Sequence, residues 1–177
     1  MSGLLIMEAA NLFCGDHDPN NSKHLTLSEL ALPELQEMFA DHHAGGSRLQ
    51  IEVPTGIQKL TPSFKLAGWD PEVLPMFGLN SRATNHFTAY GVLRDRATGV
   101  AQEAKAVMRG RLGKVGPEAF QRGEMQGHDY EINAVVHYEL WVNGAEKFFF
   151  DFFSSEWRVD GVAQNDDERS ILQIPTV

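Results

Sequence analysis

One cysteine, Cys14, stands in 177 residues. Without a second thiol there is no intramolecular disulfide and no multi-cysteine zinc site, which suits synthesis in a reducing compartment such as the cytoplasm. Positive charge is also scarce. Lys plus Arg number 15 against 24 Asp plus Glu, a formal net charge of -9, so no global basic field draws the chain to nucleic acid or anionic lipid. Long apolar runs are missing too. Leu4-Leu5-Ile6-Met7 is followed at once by Glu8, short of the roughly 7–15 apolar residues at the heart of a secretory leader. The aromatic cluster 148–153 is broken by Asp151, and nothing approaches the ~20 apolar residues that span a bilayer. A soluble chain with no targeting segment and no membrane insertion is expected.

Catalytic motifs are lacking as well. His42 and His43 are adjacent rather than spaced i, i+4 around a glutamate, so they do not make a helical zinc motif. Asp16-His17-Asp18-Pro19-Asn20 misses the glycine and distal glutamate of a calcium loop and reads as a turn within the surface loop 14–22. Gly110-Arg111-Leu112-Gly113-Lys114-Val115-Gly116 is glycine-rich and basic. No Ser or Thr follows its lysine, so it reads as a flexible connection between strands rather than a phosphate cradle. There is no Gly-x-Ser-x-Gly elbow and no dinucleotide fingerprint. Cys14 lacks the surroundings of a nucleophile. His137 falls on the polar face of a strand, where a hydrogen-bonded side chain is expected rather than a metal ligand. The reading is therefore no catalytic residue, no metal site, no cofactor and no enzyme.

What is present is a core. With 42% hydrophobic and 22% charged residues, the chain carries enough apolar surface for a single domain over 1–177, and no repeat suggests a solenoid. Period-two alternation recurs along it. Leu25 and Leu27 alternate with His24 and Thr26, and Leu49, Ile51 and Val53 with Gln50 and Glu52, as two half-buried strands. Leu60, Pro62, Phe64 and Leu66 share a face, and Pro62 restricts that strand to an edge or to its start, away from the centre of a sheet. Residues 86–93 and 100–109 flank a turn at 95–99 as a hairpin. Tyr130, Ile132, Ala134, Val136, Tyr138, Leu140 and Val142 line one face of a long strand. Asn143-Gly144 then signals a type I′ turn. On the returning strand Phe148, Phe150 and Phe152 face the core. Phe149, Phe153 and Trp157 face outward as a patch that needs a cover, from the chain's own helix or from a neighbouring subunit.

Helix signals are few. Propensity favours a short helix at 33–39, with Leu35, Met38 and Phe39 on one side. A clearer one follows Trp69: Asp70 as N-cap, Pro71 in the first turn, Trp69 placed to pack on Leu74, and Gly78 as the stop. Residues 166–172 add a helical turn or two, or an ordered arm.

The order of these features resembles the major tail tube proteins of P2-like contractile-tailed phages over nearly the whole chain. The matching pieces are Asn11-Leu12-Phe13, Leu25-Thr26-Leu27 ahead of Leu32-Pro33-Glu34-Leu35, and Gly45-Gly46. More specific are Phe64-Lys65-Leu66-Ala67-Gly68-Trp69-Asp70 leading to Leu74 and Phe77-Gly78, and Val107-Met108-Arg109-Gly110-Arg111. Tyr138-Glu139-Leu140-Trp141-Val142-Asn143-Gly144 and Val159-Asp160-Gly161-Val162 complete the set. Residues 15–22 look like extra loop, and the C-terminus is less basic than in the family.

The resemblance implies a mainly β (α+β) chain: an antiparallel β-sandwich or barrel with one short flanking α-helix, six copies closing into hexameric rings. It also implies extended chain at 32–39, and this overrides the helix propensity there. The rings would stack into a hollow tube inside a contractile sheath and conduct DNA during ejection. Implied partners are further copies of the chain, the tail sheath protein, a tape-measure protein, baseplate and tail terminator proteins, and passing DNA without specific binding. The implied place is the virion tail, after synthesis and assembly in the bacterial host cytoplasm. An acidic balance fits a conduit, because a basic wall would hold each passing phosphate.

On this reading Glu103, Glu131 and Glu139 line the lumen. The loop with His42, His43, Gly45, Gly46 and Arg48 bridges stacked rings. Phe149, Phe153 and Trp157 meet a neighbouring subunit. Two alternatives stay open: a small-ligand-binding β-barrel in which those aromatics line a pocket, and the tube subunit of a headless pyocin-like particle.

Overall fold

The structure is a computed structural model that describes residues 3–79 and 84–175. Strand dominates, as the alternation demands. In chain order the strands are β1 (Leu5–Cys14), β2 (Leu27–Ala31), β3 (Glu37–His43), β4 (Gln50–Ile57), β5 (Ser63–Ala67) and β6 (Asn85–Asp95). They continue as β7 (Ala101–Pro117), β8 (Gly127–Val142), β9 (Ala145–Asp151), β10 (Glu156–Val159) and β11 (Val162–Ala163), followed by the helix α1 (Asp166–Ile171). All pairings between the strands are antiparallel. The sheet does not close into a barrel; the build is sandwich-like, with one short α-helix among the described residues.

Two long strands make the sandwich from one sheet. β7 and β8 run side by side throughout, but the other neighbour of β8 changes along its length: β5 at Gly127–Glu131 and β9 at His137–Val142. Between these halves, three residues of β8, Ala134 to Val136, stand opposite the single Gly110 of β7. Ala134 there adopts a φ of 48°. Two extra residues kink the strand without changing which face its side chains take, since the pleat has a period of two. Tyr130 and Ile132 before the kink and Tyr138 after it are therefore all buried. Gly110 is required at this crossing: a Cβ would lie 2.8 Å from Ile132 Cγ2 and 3.0 Å from the Asn133 carbonyl oxygen.

One layer thus runs β1, β6, β7, β8, β9, β10, β11, and the other is β2, β5 and the outer halves of β8 and β7. The core lies between them. Phe64 stacks on Tyr130 at 4.9 Å and approaches Phe87 of the facing layer at 6.3 Å. Leu12, Cys14, Leu66, Met108 and Leu112 complete it. Burial pushes the Cys14 thiol up to about 12, so at neutral pH it is a small apolar group and not a thiolate. Near it, Lys23 Nζ meets Asp70 Oδ2 at 2.9 Å, and both residues are buried. That pair ties the loop 15–22, which looked like surface insertion, to the turn after β5. No helix of the described residues is long and apolar enough to cross a membrane.

Several expectations change. The helix favoured by propensity at 33–39 is absent, and the extended reading holds from Glu37, because β3 gains a full ladder from β4. Asp70 does cap, accepting from the amides of Glu72 and Val73, but only a 3₁₀ turn (Leu74–Met76) follows. Trp69 lies 4.4 Å from the His128 ring, donates to the Gln126 side chain and is exposed. The strand expected at 24–27 begins only at Leu27, and Leu25 is exposed. Pro62 precedes β5 as its start, yet β5 is not at an edge, being paired on both sides. The glycine-rich 110–116 is the kinked interior of β7 and not a connection.

Candidate assembly surfaces

Cross-strand rows on the inner face of the larger layer show where the molecule is incomplete. One row runs Cys14, Phe87, Met108, Tyr138, Phe150, Trp157, and the next Leu12, Ala89, Ala106, Leu140, Phe148, Val159. At the β1 end both are sealed: Phe87 is 0% exposed. At the β10 end they are bare: Trp157 is 38% exposed, and Phe148 and Val159 are similarly open. The smaller layer is too narrow to cover β9 and β10. A cleft of about 790 Å³ remains, walled by Leu35, Ile57, Leu60, Phe148, Trp157 and Val159.

A second apolar surface is the β3–β4 hairpin, a two-stranded sheet of its own. Registers His42 with Ile51 and Ala40 with Val53 put these residues on one face, and Asp41 with Glu52 on the other. Ile51, Val53, Met38 and Phe39 are all exposed. Two strands alone are marginal in water, and this arm leaves its apolar face open. His42 and His43 end β3, and Gly45, Gly46 and Arg48 form its tip. The expected loop with His42, His43, Gly45, Gly46 and Arg48 is therefore partly ordered hairpin, with His43 Nε2 2.8 Å from the Ser47 carbonyl oxygen.

The expected aromatic patch does not form as a unit. Phe149 is on the outer face, under the Arg158 guanidinium at 3.6 Å and edge-on to His137 at 5.3 Å. Phe153, 67% exposed, lies 5.7 Å from the Arg109 guanidinium on that side. Trp157 is on the inner face with Phe148 and Phe150, facing the cleft. Phe152, expected inside, is 63% exposed because the strand has ended and the chain is turning.

The outer face of the larger layer is densely ion-paired. Arg158 is gripped by both Glu146 carboxylate oxygens, at 2.8 Å each, and by Glu156. The Arg158 hydrogen bond holds the Glu146 carboxyl below its usual range, and the same partners raise the guanidinium. Burial pushes the Asp151 carboxyl up, but hydrogen bonds from Ser154 and His137 outweigh it and leave a net lowering. Glu139 is on this face, bonded to His137 and Trp141, and Glu103 is exposed beside Val92. Glu131 is elsewhere: it pairs with Ser63 on the outer face of the smaller layer. The three acidic residues do not share one surface. Sequence reasoning missed the cleft, the Arg158 cluster and the exposed apolar edge of β1 at Leu5, Ile6 and Met7; only the last was legible, as an apolar run of four residues ahead of Glu8.

A sandwich covered over half its width, an arm without a core and an unpaired apolar edge define a structural subunit that is completed by assembly. The chain belongs to the phage tail tube protein FII family, whose sequence model matches residues 7–172. It is a structural subunit of a phage tail tube. No curated protein matches it. Among solved structures it resembles a chain of an extracellular contractile injection system sheath-tube complex in the extended state. The TM-score is 0.56 at 8% identity, covering 75% of this chain and 88% of that one. It also resembles a chain of the anti-feeding prophage baseplate, with a TM-score of 0.54 at 10% identity, covering 80% and 97%. At such identities the likeness is one of fold. The alternative of a ligand-binding barrel loses its premise, since no barrel closes.

Proposed function

We propose that six copies of the chain close into a ring and that rings stack into a hollow tube within a contractile sheath, through which DNA passes at ejection. The observation that carries this is the pairing of family membership with apolar surface that one copy cannot cover: the cleft over β9 and β10 and the β3–β4 arm. Neighbouring copies cover both, the arm and its tip (His42, His43, Gly45, Gly46, Arg48) reaching an adjacent ring, and Trp157 and Phe153 meeting subunits from opposite faces. Phe149 supports the same interface from beneath Arg158. The sheath, a baseplate, a terminator and a tape-measure protein are the further partners. The tube acts as a passive conduit and not as an enzyme, and is assembled in the host cytoplasm before entering the virion.

The outer face bearing Glu103 and Glu139 lines the channel, and Glu131 faces away from it. Arg158 and Arg109 on that face already have carboxylate neighbours, so they offer passing phosphates little. A second reading has one observation in its favour: solved structures it resembles include chains from an extracellular contractile injection system and an anti-feeding prophage. On that reading the tube serves a headless particle. Negative-stain microscopy of the purified chain over a range of concentrations, with light scattering for mass, tests assembly. Rings or hollow tubes with six-fold end views are expected. Particles that remain monomeric even when co-expressed with baseplate proteins overturn the proposal.

A further inference from the structure

Three segments meet at one end of the smaller layer. β5 ends at Ala67 opposite Gly127, where β8 begins, and β7 ends at Pro117 opposite His128. The Thr26 carbonyl, just before β2, accepts from the Ala67 amide, and the Gly68 amide and the Trp69 indole both donate to Gln126. Leu25, Trp69, Phe120 and Met125 therefore share that end, and Trp69, the least open of them, is 61% exposed. Single apolar residues on a surface are ordinary, but several large ones at one place mark an interaction surface. The β3–β4 arm leaves the same layer at the other end, where Ala31 of β2 stands opposite Ser63 of β5. Within one copy, both the end patch and the apolar face of the arm stay exposed.

We propose that this end patch is the seat for the arm of a second copy, the two stacked head to tail. The inference rests on the reading that rings stack, and it names the surface that receives the arm. An arm at one end and its seat at the other make a heterologous contact, which leaves a free arm and a free seat for the next copy. Such a contact repeats without closing, as a tube requires. The chemistry of the two surfaces is complementary. Ile51 and Val53 on the arm, with Leu49 near its tip, meet the four apolar side chains of the patch. The tip 42–50 carries Arg48 and two histidines and no acid. Among the described residues, Glu118, Glu124 and Asp129 border the patch against Arg122 and Lys65, and Lys65 is committed to Glu118. One consequence is polarity: a stack shows arms at one end and bare patches at the other, so the proteins that finish the two ends must present different surfaces.

Disulfide crosslinking of the assembled full chain tests this. Cys14 is buried, so introduced cysteines react in its place. Gly46→Cys puts a thiol at the arm tip, where an added Cβ meets no atom within 4 Å, and Glu124→Cys puts one beside the patch. Oxidised particles carrying both should run as a ladder of dimers, trimers and longer multiples on a denaturing gel, and particles carrying either alone as single chains. Stacked particles that give no ladder, or single variants that crosslink as well as the double, overturn the inference and leave the tube reading standing. Chains that form neither rings nor stacks overturn both. Phe120→Ser with Met125→Ser supplies a second readout: the urea midpoint should be unchanged while stacked tubes are lost to single rings. Tubes of normal length from that variant overturn the inference as well.

Discussion

Phe87 and Trp157 stand on the same cross-strand row of the same sheet face, yet one is sealed and the other half open. Nothing local separates them. Both are aromatic residues on alternating strands, and what differs is whether a second layer lies above: β5 and the outer half of β8 over Phe87, open cleft over Trp157. The row therefore records two conditions, one end covered by the chain's own second layer and one that this chain leaves open. The sharpest way to break this contrast is by truncation. Phe87→Ala should cost about 3–5 kcal/mol in urea denaturation, the range for emptying an aromatic site in a packed core. Trp157→Ala should cost the isolated chain less, about 2 kcal/mol, since over a third of its surface is already in water. Equal losses would mean that the cleft is packed in solution and that the comparison fails.

The sealed end depends on polar chemistry as well. Lys23 and Asp70 are buried together, and Asp70 also caps the turn at 70–73. Lys23→Ala leaves that carboxylate without its cation and should lower stability by about 3 kcal/mol, as breaking one side of a buried pair does. Lys23→Ala together with Asp70→Asn should recover part of the loss. If the double substitution is as costly as the sum of the singles, the pair acts through packing alone.

Much of the sealed half was legible from the chain. The alternation at 86–93, 100–109 and 130–142 marks β6, β7 and β8, and Asn143-Gly144 forms the expected turn with φ values of 50° and 75°. Local chemistry fixes these features. The open half was not legible in the same way, because which aromatics lack a cover depends on where the second layer ends, and that is set by β5 pairing with only the first half of β8. The kink at Ala134 has the same origin. It sends Glu131 and Glu139 to different surfaces although their spacing along the strand puts them on one face. At 33–39, local preference pointed to helix, and pairing with β4 overrode it.

The open end should also respond to acid. Glu146 and Asp151 are both held below their ordinary ranges. Such groups add stability that is fully present above their unfolded values, 4.5 and 3.8, and is lost as pH falls through the lower folded ones. Between pH 5 and pH 3, hydrogen exchange in β9 and β10 should accelerate, with a local loss on the order of 1 kcal/mol for each acid. Amides of β6 should be unaffected over that interval. Acceleration in β6 to the same extent would show that the two halves open as one unit.

The smallest effect on folding and the largest on assembly are expected at the β3–β4 arm. Ile51 and Val53 are exposed on a two-stranded sheet with nothing packed on their face. Ile51→Ser with Val53→Ser should therefore change the stability of the isolated chain by no more than about 0.5 kcal/mol, the usual range for surface positions. If another copy covers that face, the same pair removes most of its apolar contact, and particles that stack in the unsubstituted protein should stop at rings or single chains under the microscope. Retained tubes would place the function of the arm elsewhere. A loss of stability like that of Phe87→Ala would mean instead that the arm folds back onto its own cleft, so that the open half of the row is closed by the chain itself.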